Sequence, residues 1–477
     1  MYRTRATIII SIIITFGSSG LFFSSCKKKS IDGQIIFTRI TENKDKVNYI
    51  TGDNWRYFSH SQIVAMDPGN SGPSVKVLTT DFFSARSPQI SYDGQYMLFT
   101  GMKNNNDPWQ IWEMDLKNFN TRKILSSKEN CTDPAYLPGN RLVFSKTITN
   151  DSIKAGHSLF TCNLDGSAIS RITFNPSAYF ASTVLKDGRI LTIARRVFPD
   201  QEDAEFIVMR PDGTKAELFY QGLSGITLSD QPTETKDGKI VFIESDLNKN
   251  GKGDVISVTY NRPLHSRVNL TSEIQGDFQS VFPLQSGNYL VSYRKSGSDR
   301  YALYEFDPVK KVLGHEIHSG DGYDDLEALE ARLHQRPKKL PSDVMTVIKT
   351  GLIMTQDINL HNMVSAGKTS LIAKAEKVEI IGLDSLLGVF EPEVDGSFYL
   401  KVMANKPFRI RTLDKDGNVI ETCSWIWLRP NERRGCVGCH ENQELAPENR
   451  IAMAVKKAPI KVPIHVNKIV EKKIDTE

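Results

Sequence analysis

A short turn recurs through the first two thirds of the chain and limits the folds open to it. It reads Tyr92-Asp93-Gly94, then Leu137-Pro138-Gly139, Lys186-Asp187-Gly188, Lys236-Asp237-Gly238 and Gln285-Ser286-Gly287. The five glycines lie 45, 49, 50 and 49 residues apart. An earlier copy, Ile31-Asp32-Gly33-Gln34, stands 61 residues before Gly94. Short runs of alternating apolar residues flank each turn, as in Gln95-Tyr96-Met97-Leu98-Phe99. Such a turn supplies the positive φ a tight hairpin needs, and the alternation suits antiparallel strands with one face buried. A period slightly longer than a four-strand blade, repeated at least five times, predicts a β-propeller. Six marked turns predict six blades, and the long first interval leaves room for a seventh. Separate β-sandwiches would need no fixed period.

The pattern changes after Asp321. Asp324-Asp325-Leu326-Glu327-Ala328-Leu329-Glu330-Ala331-Arg332 reads as a short helix or a closing strand, and Arg336-Pro337-Lys338-Lys339-Leu340-Pro341 as a stiff linker. Hairpin signals then resume without the period, at Asp395-Gly396 and Asp416-Gly417. The expected fold class is all-β: a propeller over 27–341, a small β-sandwich over 342–428, and a short cofactor-binding segment over 429–477. The hydrophobic fraction of 39% over 477 residues is ample for such cores. With 60 Lys+Arg against 56 Asp+Glu, and no like-charge run longer than Lys27-Lys28-Lys29, nucleic-acid binding has no electrostatic footprint.

The first 26 residues read as a targeting segment. Arg3 and Arg5 precede the apolar run Ile8-Ile9-Ile10-Ser11-Ile12-Ile13-Ile14. The run ends in Leu21-Phe22-Phe23-Ser24-Ser25-Cys26, which resembles a bacterial lipoprotein cleavage box with Cys26 as the lipidated residue. A plain secretory signal is the alternative. Lipidation would place the folded body in the oxidising envelope of a Gram-negative cell, at the outer membrane and facing the periplasm, with the lipid as sole membrane attachment.

Six cysteines are too few for a disulfide-built scaffold, so each is read by position. Gly435-Cys436-Val437-Gly438-Cys439-His440 carries the strongest chemical signal. Cys-x-x-Cys-His attaches c-type haem: two thiols at this spacing bond both vinyl groups, and the adjacent imidazole reaches the iron. Three rivals fit less well. A thioredoxin-type pair wants a helix next, and Glu441-Asn442-Gln443-Glu444-Leu445-Ala446-Pro447 is a poor one. A zinc site lacks a fourth ligand, and a Cys436–Cys439 disulfide would close a strained ring. Trp425 and Trp427 suit the porphyrin face or the sandwich core, and Arg433 and Arg434 suit propionates or solvent. Met453 and His465 are the downstream candidates for a sixth iron ligand, with His334 and His361 upstream.

The run Trp425-Ile426-Trp427-Leu428-Arg429-Pro430-Asn431-Glu432-Arg433-Arg434-Gly435-Cys436, leading into the Cys-x-x-Cys-His motif and preceded by Asp395-Gly396-Ser397-Phe398 and a propeller, resembles the hydrazine synthase alpha-subunit family. The propeller units themselves resemble the Pro-Asp-Gly repeats of the Tol-system periplasmic propeller. The alpha-subunit resemblance implies a propeller, a middle sandwich and one haem c on Cys436, Cys439 and His440. It also carries departures. Glu444 stands where the family has an iron-ligating tyrosine, and 37 residues follow His440 where catalytic members continue into a further haem domain. The best-known member's chemistry is therefore not implied.

Two lesser features complete the reading. Asp246-Leu247-Asn248-Lys249-Asn250-Gly251 and Asp254 match the oxygen-ligand half of a calcium loop, with Ser257 where the bidentate acid would stand; a polar hairpin tip is the alternative. Of Cys131, Cys162 and Cys423, the first two fall in one blade repeat and suit a disulfide, and an odd thiol remains. The functional expectation is a mono-haem electron-transfer lipoprotein with a protein redox partner. The alternative is a propeller-based assembly subunit in which the haem is structural.

Overall fold

The computed structural model describes residues 31–41, 48, 52–53, 55–68, 75–149, 153, 156–201, 204–249, 251–298, 300–360, 374–438 and 450–463. The chain is all-β there: its only helical pieces among the described residues are 3-10 turns at Leu247–Lys249 and Met453–Lys456. No helix among them is long and apolar enough to cross a membrane.

The repeat folds into six blades among the described residues. The innermost strands of blades 2, 3, 4 and 6 are Ser84–Ile90, Cys131–Leu137, Ser177–Val184 and Asp277–Pro283. Blade 5 splits its innermost strand into Ile226–Leu228 and Thr233–Glu234. Blade 1 takes its innermost strand from the far end of the repeat: Tyr323–Glu330 pairs antiparallel with Ile35–Thr41. The run at 324–332 is thus the closing strand, not a helix. This closure explains the long first interval. Gly33 marks an ordinary blade turn whose preceding strand is Tyr323–Glu330, with Gly33 N–H donating to Ala331 O at 2.8 Å. The extra length is the connection from Thr41 to Gln62, which carries Trp55 and Arg56. No seventh blade is needed.

All six marker glycines sit at positive φ, between 70° and 97°. Gly188 also has no room for a side chain, because a Cβ there would lie 2.1 Å from Lys338 O. The contact arises because 331–341 runs across the blade turns, with His334 N–H donating to Tyr92 O and Lys338 N–H to Lys186 O.

Where the innermost strands converge, four blades share one irregularity. Ser87, Asp133, Ala181 and Glu327 hold φ between 51° and 54°, a conformation uncommon outside glycine. Each sits at a bulge in its strand, which turns polar groups towards the neighbouring blades. Glu327 accepts Ser87 N–H at 2.7 Å, and Asp133 accepts Ala181 N–H at 3.1 Å and Ser87 Oγ–H at 3.0 Å. Val281 N–H donates to Asp230 at 3.1 Å, and Glu327 N–H to Ser280 Oγ at 3.2 Å. Buried Arg86 bridges Glu327 and Asp133, and Arg56 reaches the same two carboxylates. The six blades are therefore stitched by charge as well as by apolar packing. The guanidiniums hold the Asp133 and Glu327 carboxyls below the usual range despite burial, whereas burial pushes Asp230 up to about 7.

Residues 350–461 form two four-stranded sheets packed face to face around Ile353, Val378, Ile380, Phe398, Leu400 and Ile410. One sheet runs Arg433–Cys436, Thr350–Thr355, Phe398–Met403, Ile460–Lys461; the other is Leu386–Phe390, Lys377–Ile381, Arg409–Leu413, Val419–Thr422. The segment after 428, expected as a separate tail, thus supplies both edge strands of the first sheet.

Trp425 and Trp427 serve neither reading offered for them. Trp427 packs into the blade 3–4 core with Leu137, Leu159, Tyr179 and Met209, and Trp425 donates from Nε1 to Phe198 O at 3.0 Å. They fasten the sandwich to the propeller. Beside them, Arg429 donates from Nε to Asp212 O at 2.8 Å, and buried Glu432 accepts Lys215 N–H at 2.8 Å.

Cys131 and Cys162 are both buried as free thiols, which corrects the expected disulfide. They lie on first and third strands of blade 3, with Arg141–Ile148 between them. Strands two apart are about 9.5 Å away, beyond the Cα span of a disulfide.

Candidate functional site

The haem-motif segment is positioned by an edge strand. After Asn431, at φ 68°, the chain turns and Arg433–Cys436 pairs in parallel with Thr350–Thr355, Cys436 opposite Thr355. Cys436 O then accepts Gln356 N–H at 2.9 Å, and Val437 O accepts Asp357 N–H at 3.0 Å. A Cβ on Gly438 would lie 2.3 Å from Leu360 O, so glycine is the residue this close approach admits. The loop Gln356–Leu360, which carries no chemical signal in the sequence, is what holds the motif's first half. Cys439 and His440 lie outside the described residues, as do His361, Glu444 and His465.

Cys436 is half-buried and packs against the margin of the sandwich core, as Cys423, Ile420 and Ile426 do. A reachable thiol against an apolar wall is what a covalently held porphyrin requires, so the described part of the motif fits the group. Cys423 stays out of that chemistry. Its Sγ accepts Ile410 N–H at 3.0 Å, and burial pushes the thiol up to about 11, leaving it protonated. Of the two arginines before the motif, Arg434 is bound to Glu432 Oε1 at 2.7 Å, while Arg433 is exposed.

The candidate sixth ligands part company. Met453 begins a 3-10 turn whose backbone N–H donates to Asp395 Oδ2 at 2.8 Å. The adjacent Arg450 donates to Gln356 O at 2.8 Å and pairs with Asp357 at 3.1 Å. Met453 is therefore carried by the same loop that holds the motif. His334 is instead kept on blade 2, its ring 5.2 Å from that of Tyr92, and is not brought to the motif.

The calcium-loop residues do not converge. Asp246 pairs with Lys249 at 3.1 Å and accepts Asn248 N–H at 2.9 Å. Asp254 accepts Asn269 Nδ2–H at 3.1 Å and Thr271 Oγ–H at 3.2 Å. The segment is a hairpin tip, and Asn250 lies outside the described residues. A cavity of about 710 Å³ opens between blades 2 and 3, and no residue of the motif lines it. Its buried Glu113 is already engaged by Arg122 and by Tyr136 Oη–H at 3.0 Å.

With this geometry in place, residues 345–441 match the hydrazine synthase alpha subunit middle domain. That stretch is similar to the family's middle domain. Hydrazine synthase subunit alpha of Kuenenia stuttgartiensis is 21% identical over 85% of this chain and 66% of the relative, so this chain spans slightly under two thirds of that protein's length. The solved Kuenenia stuttgartiensis hydrazine synthase superposes with a TM-score of 0.77 at 20% identity, covering 89% of this chain and 71% of that one. The latter likeness concerns the fold: a propeller followed by the middle domain.

Proposed function

We propose that this chain is an envelope lipoprotein, anchored through Cys26, that carries one haem c and exchanges electrons with a protein partner. The observation that carries the reading is the Cys-x-x-Cys-His motif launched from a fixed edge strand, with its first thiol half-buried against an apolar wall. Cys436 and Cys439 would hold the porphyrin, and His440 would ligate the iron. Bound haem supplies a one-electron redox centre. The chain's own residues do the rest. Gln356 and Asp357 fix the motif's backbone, the sandwich core excludes water from one side of Cys436, and Arg433 offers a cation to a propionate. Similarity to a subunit of an enzyme supports a protein partner. Hydrazine synthesis is not part of the proposal, because Glu444 replaces the family's ligating tyrosine.

The test is a visible spectrum of full-length protein from cells that mature c-type cytochromes. Wild type should show a reducible covalent haem, and His440→Ala should lose or disturb it. A haem-free wild type would overturn the cofactor assignment. Partner binding that survives haem loss with undiminished activity would favour the assembly subunit. In the same cells, Cys26→Ala should leave the membrane fraction or remain unprocessed, and unchanged membrane association would refute the anchor.

A further inference from the structure

One face of the first sandwich sheet gathers cations and apolar side chains. Buried Ile353, Phe398, Leu400 and Val402 point into the core, so their strand neighbours point out. Strand register puts Arg433 opposite Leu352, Leu352 opposite Lys401, and Lys401 opposite Lys461, which makes one row of outward positions across all four strands. Three of the four are cations. On either side of the row the outward residues, besides Gly435, are Thr350, Met354, Tyr399 and Met403, and Met403 is 46% exposed. No carboxylate occupies an outward position on these strands. Among the described residues, none of the three cations is in an ion pair.

Gly435 adds a second observation. It takes an outward position beside Met354, has no positive φ, and a Cβ there would meet nothing within 4 Å. Neither backbone nor packing asks for glycine at this place. Its effect is a recess in the face directly before Cys436.

We infer that this face is the docking surface for a protein with an acidic rim around an apolar patch. The inference rests on the redox reading above and names the chemistry of its partner. Methionine, tyrosine and arginine are side chains favoured at protein interfaces, and a charge row without counter-charges invites an opposite one. The recess at Gly435 lets the partner approach the backbone of the strand that leads into the motif, although the Cys436 side chain itself turns to the opposite face. An anionic lipid surface would be drawn by the same cations, but a row of three across one sheet, framed by half-buried apolar side chains, matches a shaped partner better than a plane.

The experiment uses the full-length protein and an immobilised acidic electron-transfer protein, flavodoxin, as probe. Wild type should bind, with Kd rising at least tenfold between about 20 and 200 mM salt, as expected when exposed charges are screened. Lys401→Glu/Lys461→Glu should weaken binding at least tenfold, and Lys310→Glu/Lys311→Glu, a charge-matched change on blade 6, should not. Equal binding by wild type and the sheet variant, no binding by wild type, or no salt dependence would overturn the inference. So would a sheet variant that keeps flavodoxin but loses vesicles containing about 30% anionic lipid. Circular dichroism separates a misfolded variant from a folded one, and the wild-type salt series stands without any variant. Binding needs no haem, so a failed cofactor assignment leaves this result readable by itself.

Discussion

The centre of the propeller and the outer face of the sandwich handle charge in opposite ways. At the centre, Arg56 and Arg86 point inward against Asp133 and Glu327, and the carboxylates also take backbone N–H groups from neighbouring blades. On the sandwich, Arg433, Lys401 and Lys461 point outward with no carboxylate on their face. Water solvates the outward cations at little cost, whereas an inward charge is tolerable only when it is paired and hydrogen-bonded. The centre is therefore committed to holding six blades in a ring. The face and the motif beside it are left free for work.

Removing one member of the central network should have the largest effect. Asp133→Ala removes one of the two carboxylates that buried Arg56 and Arg86 share and deprives Ala181 N–H of its acceptor. A broken buried pair costs about 3–5 kcal/mol, and this loss touches two buried cations and a backbone N–H at once. Denaturant unfolding should show the whole propeller losing stability. A loss under about 1 kcal/mol would mean that the ring is held by apolar packing alone, and the contrast between the two regions would fail.

Next in size is the seam between them. Trp427→Ala empties a site lined by Leu137, Leu159, Tyr179 and Met209, at about 3 kcal/mol for a buried tryptophan. Because that loss falls on the contact, calorimetry should resolve separate sandwich and propeller transitions, and protease should reach 331–341 more readily. Trp427→Phe should cost far less, because among the described residues the indole N–H has no hydrogen-bond partner to lose. A single unchanged transition in the alanine variant would show that Arg429 and Glu432 hold the seam without the ring.

The blade turns are legible in the amino-acid sequence and the contacts between distant strands are not. The glycine period marks the turns because each hairpin needs positive φ at one place, and those positions are local in the chain. Closure of blade 1 is not local. It joins Ile35–Thr41 to Tyr323–Glu330, so the first interval reads as long enough for a seventh blade. The central network is equally hidden, because Arg86, Asp133 and Glu327 each look like ordinary strand residues; their one signal is that they recur near matched places in successive repeats. Trp425 and Trp427 announce burial but not against what, and porphyrin or sandwich core suits their composition as well as the seam does. At the site, the Cys436–His440 motif is plain in the sequence. The loop that holds it is not, since Gln356 and Asp357 act through backbone N–H groups, which side-chain identity does not reveal.

The smallest expected effect concerns pH and sharpens the claim that the centre is structural. Burial raises the Asp230 carboxyl to about 7, with Arg56 only partly opposing. An unfolded aspartate titrates near 4, so between about pH 4 and pH 7 the folded state keeps a proton that the unfolded state has released. Folded chains then bind more protons than unfolded ones, and stability falls as pH rises through that window. Asp230→Asn removes the titration while an amide oxygen can still accept Val281 N–H. The variant should match wild type near pH 4, and above pH 7, where the wild type alone must carry the buried charge, it should melt higher. Parallel melting curves at every pH would show that Asp230 is ionised in the fold, with Arg56 as its counter-ion, and the network would then have to be redrawn with three charged carboxylates.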